Sequence, residues 1–249
     1  MRRNSILITG ASAGLGEEMA RQFAAKGYNL ALTARREDRL AVLRDEFLGR
    51  HPGLTITIHK LDVTDDEQVF TVFREADKAH GQLDRIIVNA GIGKGAPVGT
   101  GRPEVNRETL MTNFVAAFTQ AEAAMELFRA RNAGHLVFIA SAAALRGLPK
   151  TITAYAAAKA GVSSLAEGLR MEMLNKPITI STISPGYIRT ALNEKVQNTP
   201  LIVDTVPGVR SMVAAIEAEK AVAYVPAWPW APLARFMKAA PLPILRKLI

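Results

Sequence analysis

Ile6-Leu7-Ile8-Thr9-Gly10-Ala11-Ser12-Ala13-Gly14-Leu15-Gly16 is an apolar run that ends in a glycine-rich turn. A buried strand that passes through such a turn into a helix is the setting a nucleotide-binding site requires. Gly10 permits the tight turn, Gly14 lets backbone N–H groups approach a pyrophosphate, and Gly16 allows close packing while the helix N-terminus presents its positive dipole to the anion. Ser12, Ala13 and Leu15 complete the cofactor-facing turn. The spacing is Gly-x-x-x-Gly-x-Gly rather than Gly-x-Gly-x-x-Gly, and no phosphate-binding lysine of the P-loop type follows.

Downstream, short apolar runs alternate with amphipathic stretches, the pattern of βαβ units that build a parallel sheet. Strands are expected near 5–9, 28–34, 54–60, 84–89, 134–140, 177–183 and 222–225, and helices near 14–26, 37–49, 65–80, 104–131, 152–175 and 208–219. Asp62 and Thr64 stand where the third helix starts. The expected fold is a doubly wound Rossmann α/β fold, a parallel sheet of about seven strands with helices on both faces. All 249 residues fit one domain. Within it, 1–100 would be mainly the cofactor half, 101–225 the catalytic half, and 226–249 an apolar, basic segment.

The second strand ends Leu32-Thr33-Ala34-Arg35-Arg36. An NAD site normally places an acid at this strand end to bind the ribose 2′-OH, whereas two arginines suit a 2′-phosphate through charge-assisted bonds. NADP(H) is therefore the preferred cofactor, with NAD(H) still open; Arg36 equally fits a plain solvated helix start.

Tyr155 and Lys159, four apart, fall on one face of a helix, about 5–6 Å apart at Cβ. An isolated phenol, with a pKa of about 10, is a poor acid or base at neutral pH, and a nearby ammonium lowers that value. Fourteen residues before the tyrosine, Ser141 closes the apolar run Leu136-Val137-Phe138-Ile139-Ala140. Taken alone, the serine also reads as a loop cap.

In combination these residues resemble the short-chain dehydrogenase/reductase family in its single-domain form, over about residues 5–190. Thr9 to Gly16 matches the family's cofactor turn, and Asp62-Val63 the pair that contacts adenine. Val88-Asn89-Ala90-Gly91 is similar to the family's Asn-Asn-Ala-Gly with valine in first place, which puts Asn89, Ala90 and Gly91 beside the cofactor. Asn113, in Met-Thr-Asn-Phe, falls at the catalytic asparagine. Pro185-Gly186-Tyr187-Ile188-Arg189-Thr190 matches the loop that receives the nicotinamide, through Pro185, Gly186, Ile188 and Thr190. One departure is Ala13, where many NADP-dependent members carry a basic residue.

The resemblance implies hydride transfer between NADP(H) and a carbonyl or secondary alcohol. Tyr155 would be the general acid or base, Ser141 would orient the substrate oxygen, and Lys159 would lower the Tyr155 pKa and bond the nicotinamide ribose. Asn113 would hold a water that links Lys159 to solvent. A second reading is an NADP(H)-binding sensor without turnover, which would need the turn but not the acid. Family membership also implies a homodimer or homotetramer assembled through the helices at about 104–131 and 152–175.

Composition excludes other classes. With no cysteine there are no disulfides, thiolate sites or thiol nucleophiles, and His51, His59, His80 and His135 lack metal-ligand spacing, so no metal is expected. The net charge of +8 accompanies no nucleic-acid motif. A chain that enters a strand within about six residues leaves no room for a signal peptide, and a cytoplasmic location is expected.

After Glu219 there is no acid, while Lys220, Arg235, Lys238, Arg246 and Lys247 punctuate a proline-rich segment that holds both tryptophans. That composition fits either a packing arm or an interfacial segment in weak contact with a membrane surface, or one that covers a lipophilic, fatty-acyl or steroid-like substrate. Specificity is expected from loops 91–103, 142–152 and 186–210.

Overall fold

The computed structural model describes residues 4–190 and 201–248. Seven strands form one parallel sheet: β1 (Ser5–Thr9), β2 (Asn29–Ala34), β3 (Ile56–Lys60), β4 (Arg85–Val88), β5 (Gly134–Ile139), β6 (Ile178–Pro185) and β7 (Val222–Val225). Their order is β3-β2-β1-β4-β5-β6-β7, so the winding direction reverses between β1 and β4. Successive residues of β1 enter opposite layers, as the two-residue strand period requires. Ile6 and Ile8 pack under α1 (Gly14–Ala25), α2 (Glu37–Arg50) and α7 (Thr205–Glu217). Leu7 packs under α3 (Asp66–Ala79), α5 (Ala116–Arg131) and α6 (Thr153–Glu172). Both faces are covered, which is why the strands read as near-continuous apolar runs.

Three sequence expectations are corrected in detail. The third helix is capped by Asp65, which accepts from the Gln68 N–H at 3.0 Å, while Asp62 accepts from Thr64 in the preceding turn. The helix expected over 104–131 runs unbroken from Pro103 to Arg131, but it passes from α4 (Pro103–Leu110) through a five-residue π-helical segment (Met111–Val115) into α5. The tail, an apolar, basic segment for which no element was expected, forms α8 (Ala227–Ala239) and α9 (Leu242–Leu248).

Its prolines do not prevent this. Backbone angles at Trp228 are non-helical, so the regular part of α8 opens at Pro229, and Pro232 falls at the end of the first turn. There a missing N–H forfeits one intrahelical bond at most. Trp230 and Ala234, one turn apart, are the buried side of the helix.

The histidine His135 has a packing role at the far end of the sheet. Its Nδ1 accepts from Arg85 Nε at 2.9 Å and its Nε2 lies 2.8 Å from Ser181 Oγ. An arginine only donates, so the ring is the neutral tautomer with its proton on Nε2.

The tail is fastened by one side chain. Arg146, in the loop after β5, donates through Nη1 to the carbonyls of Met237, Lys238 and Ala240, each at 3.0 Å. These are orphan acceptors at the C-terminus of α8, where a cation is also favoured by the helix dipole. Arg146→Met should cost about 1–2 kcal/mol and raise amide exchange selectively over 227–248. Exchange rates there equal to those of the parent chain would refute the clasp.

Candidate active site

The site grows from the reversal between β1 and β4. Gly10 and Gly14 adopt left-handed φ of 66° and 59°, which side chains rarely tolerate. Gly16 needs the absence of a side chain for a different reason: a Cβ there would lie 2.3 Å from the Gly10 carbonyl oxygen and 2.6 Å from Asn89 Nδ2. Asn89 Nδ2 donates to the Thr9 carbonyl at 2.8 Å, and Thr9 Oγ1 accepts the N–H groups of Asn89 and Ala90 at 3.0 and 3.1 Å. The turn is thus bolted to the end of β4. Ala13 caps α1 without any side-chain hydrogen bond, which leaves the helix N–H groups facing the turn. Ser12 is buried, and Leu15 packs against the core beneath the turn.

Arg36 lies over this turn. Its Nη2 donates to Ser12 Oγ at 3.0 Å and to the Ser12 carbonyl at 3.3 Å. Arg35 is exposed, and the buried Ala34 stands at the strand position where an acid would bind a ribose 2′-OH. Burial alone would raise the Asp62 carboxyl, but hydrogen bonds from Thr64 N (3.0 Å) and Oγ1 (2.8 Å) and the charge of Arg35 hold it below the usual range. Val63 beside it is buried.

Ser141 follows β5 directly, and its Oγ accepts the Ala143 N–H at 3.1 Å, so the loop cap suggested by the sequence is real. The same hydroxyl neighbours the Tyr155 phenol and acts to lower its pKa, so the cap also serves the site. Tyr155 and Lys159 lie in the first two turns of α6. Lys159 Nζ donates to the Ile139 carbonyl at 2.8 Å. Asn113 sits in the π-helical segment, buried, and pairs with Ile92 in both directions, accepting its N–H at 2.7 Å and donating to its carbonyl at 2.8 Å. A Cβ at Gly91 would lie 3.0 Å from Asn113 Oδ1 and 3.7 Å from Lys159 Nζ. The four candidate catalytic side chains therefore surround the C-terminal ends of β4 and β5.

Burial pushes the Tyr155 phenol up, neighbouring Ser141 draws it back, and neighbouring Tyr187 adds to the rise. Burial lowers Lys159 itself from 10.5 to about 8.

The loop after β6 closes the far side. Val225 accepts the Gly186 N–H at 2.9 Å and holds Pro185-Gly186 to β7; Ile188 is buried; and Thr190 carries its Cβ to 3.7 Å from where a Cβ on Gly14 would stand. Residues 191–200 of the expected specificity loop lie outside the described residues. Sequence reasoning missed Tyr187 and Trp230. Their rings meet edge to face at 5.6 Å and 68°, and the indole occupies the space a Cβ on Gly186 would need. Trp-Pro-Trp was a visible signal, but nothing in one dimension ties it to Gly186. Val88 is a buried member of β4, in register with Phe138, so its departure from the family pattern acts on packing. Among the described residues no cluster of three or more His, Asp or Glu could hold a metal ion.

The family model for short chain dehydrogenases matches residues 4–201. An uncharacterized oxidoreductase of Mycobacterium tuberculosis is 50% identical over 245 residues, 98% of this chain and 97% of that one. The crystal structure of a short chain dehydrogenase/reductase from Burkholderia phymatum in complex with NAD superposes with a TM-score of 0.83 at 21% identity, over 95% of this chain and 94% of that one. An alcohol dehydrogenase from Thermococcus sibiricus, complexed with 5-hydroxy-NADP, gives 0.79 at 22% identity, over 89% and 95%. At these identities the structures speak for the fold.

The Lys159 shift has a consequence for stability. Below pH 8 the group is charged in both states and the folded chain bears the cost of burying it, about 3 kcal/mol for a fall from 10.5 to about 8. Between those values the unfolded chain holds the proton that the folded chain has released, so stability rises with pH. From pH 8 to 9.5 the parent should gain about 1.5 kcal/mol relative to Lys159→Met in urea melts; parallel pH profiles would contradict a buried ammonium.

Proposed function

The chain belongs to the short-chain dehydrogenase family of nucleotide-dependent oxidoreductases, and we propose that it transfers hydride between NADP(H) and a carbonyl or secondary alcohol with Tyr155 as general acid and base. The observation that carries this reading is the gathering of Ser141, Tyr155, Lys159 and Asn113 at the C-terminal end of β4 and β5, with Ser141 acting on the buried Tyr155 phenol and Lys159 and Asn113 meeting at Gly91. A sensor would need the glycine turn and no buried phenol in such company. Residues 1–100 would supply most of the cofactor contacts and 101–225 the catalytic groups, within one domain.

The cradle fits a dinucleotide. Gly10 and Gly16 leave no space for a side chain at the turn, and α1 opens with uncapped N–H groups toward it. Asp62 and Val63 stand at the end of β3 for the adenine, and Asn89, Ala90 and Gly91 line the end of β4. For the 2′-phosphate, Arg36 on Ser12 and Arg35 beside it favour NADP(H) over NAD(H), since no carboxylate stands at Ala34 to oppose it. When bound, the cofactor supplies or accepts the hydride.

The chain's own groups do the rest. Ser141, with one lone pair taken by Ala143, keeps its hydroxyl for the substrate oxygen. The Tyr155 phenol is protonated at neutral pH, and although burial makes it a weaker acid than a free phenol, the developing alkoxide is a stronger base than a phenolate and can take its proton. Asn113 Oδ1 and Lys159 Nζ approach the same point beside Gly91, an arrangement that suits a water-linked proton supply. Exposed Leu110, Met111, Val115 and Phe118 along α4 and α5 support a homodimer or homotetramer. A lipophilic ketone is the favoured substrate because the exposed ring of Tyr187, backed by the buried Trp230, adds aromatic surface beside Tyr155.

NADPH oxidation should be followed with ketones that range from small quinones to long-chain 3-oxoacyl and steroid ketones. Tyr155→Phe should keep NADPH affinity and lose turnover by 10²–10⁴-fold, the usual worth of a general acid; more than about one per cent residual rate would sink the assignment. Arg35→Asp should shift preference toward NADH by about tenfold or more, the worth of a charge-assisted bond. An unchanged NADPH affinity would remove Arg35 from the phosphate site.

A further inference from the structure

The inward side of the tail is settled by packing: Trp230, Ala234, Ala240 and Leu245 are buried. Its outward side is unusual. Trp228 is 80% exposed and Leu242 66%, and Phe236 and Ile244 are about half exposed. Among them stand the exposed cations Arg235, Lys238 and Arg246. Residues 235–246 run from the last turn of α8 into α9, so Phe236, Lys238, Leu242, Ile244 and Arg246 crowd one helical corner. No acid follows Glu219 to balance them. Ordinary surface helices pair their charges and bury their aliphatics, whereas this corner leaves both unmatched.

We propose that the α8–α9 corner docks on an anionic lipid surface. Aliphatic and aromatic side chains at the headgroup boundary, ringed by Lys and Arg alone, are the composition of a helix that lies in a bilayer interface. The competing occupant is a second copy. A two-fold interface would set Arg235, Lys238 and Arg246 against their own images, and like charges facing across a contact oppose it. An anionic headgroup layer satisfies every one of these cations.

Location gives the contact a use. Val225 of β7 pairs with Pro185 of β6, and α8 begins two residues later, at the same edge of the sheet as Ser141 and Tyr155. Arg146 ties the end of α8 to the loop that leaves Ser141, and Trp230 stacks on Gly186. A docked tail would set the mouth of the site beside the bilayer, ready for a lipid-dissolved ketone. That last clause rests on the proposed reductase activity; the docking does not, and it is tested without turnover.

The two tryptophans supply the probe, because Trp230 is 5% exposed and Trp228 faces solvent. The full chain is mixed with phosphatidylcholine vesicles with and without phosphatidylglycerol, followed by sedimentation and tryptophan emission. The parent should sediment with phosphatidylglycerol vesicles alone, be released by high salt, and show a blue shift that is missing in Trp228→Phe. Each cation near an anionic surface is worth about fivefold, so the triple variant Arg235→Gln, Lys238→Gln, Arg246→Gln should partition about a hundredfold more weakly. Phe236→Ser with Leu242→Ser and Ile244→Ser should lose binding while far-UV circular dichroism stays that of the parent. No sedimentation of the parent, or unchanged binding in folded variants of both kinds, overturns the proposal. A fall in molar mass of the serine variant in sedimentation velocity assigns the corner to a second copy and overturns it too.

Discussion

The winding of the sheet reverses between β1 and β4, and the rest of the site depends on the gap this leaves. Crossover helices lie on opposite faces on the two sides of that point, so no helix covers the strand ends there. The chain fills the gap with backbone. The glycine turn descends from β1, and Asn89 and Thr9 fix it to β4 through three hydrogen bonds. Gly16 then allows α1 to sit on the Gly10 carbonyl at a distance that any side chain would break. Position, more than residue chemistry, makes this crevice able to take an anion.

The second half of the site is built by burying polar groups that prefer water. Desolvation disfavours the charged form of each, which raises the phenol of Tyr155 and lowers the ammonium of Lys159. Both effects bring the pair toward neutrality. Tyr155 is moved by its burial, by Ser141 and by Tyr187, while Lys159 donates to the Ile139 carbonyl on the other side of the pair. The π-helical segment around Asn113 belongs to the same economy of buried groups. It turns one amide toward Ile92 and joins the loop after β4 to the helix that flanks Lys159.

Residues whose role follows from local pattern were legible in the sequence. Strand–turn–helix order, the four-residue spacing of Tyr155 and Lys159, and the serine after an apolar strand are all one-dimensional signals, and the structure gathers those side chains at one edge. Signals that depend on what lies across space were not legible. Asp65 and Asp62 are equivalent to the eye, and only the hydrogen bond to Gln68 decides which one caps α3. The π turn at Met111–Val115, where Asn113 pairs with Ile92, is a change of helix type that no helix propensity records. The prolines of the tail argue against helix until Trp228 is seen to reset where α8 begins.

The tail also shows why exposure carries more information than composition. A segment rich in Trp, Leu, Ile and Arg is compatible with a packed arm, and half of this one is packed: Trp230 completes the wall at Gly186 and Leu245 is buried. That half explains why the segment folds. It does not explain the other half, because packing would be served as well by polar residues at 228, 236, 242 and 244. The loop clasp sharpens the point, since Arg146 spends its guanidinium holding the end of α8 to the loop that follows Ser141. A helix pair fixed to the loop after Ser141 on one side and greasy and cationic on the other joins the candidate site mechanically to whatever its outer face meets.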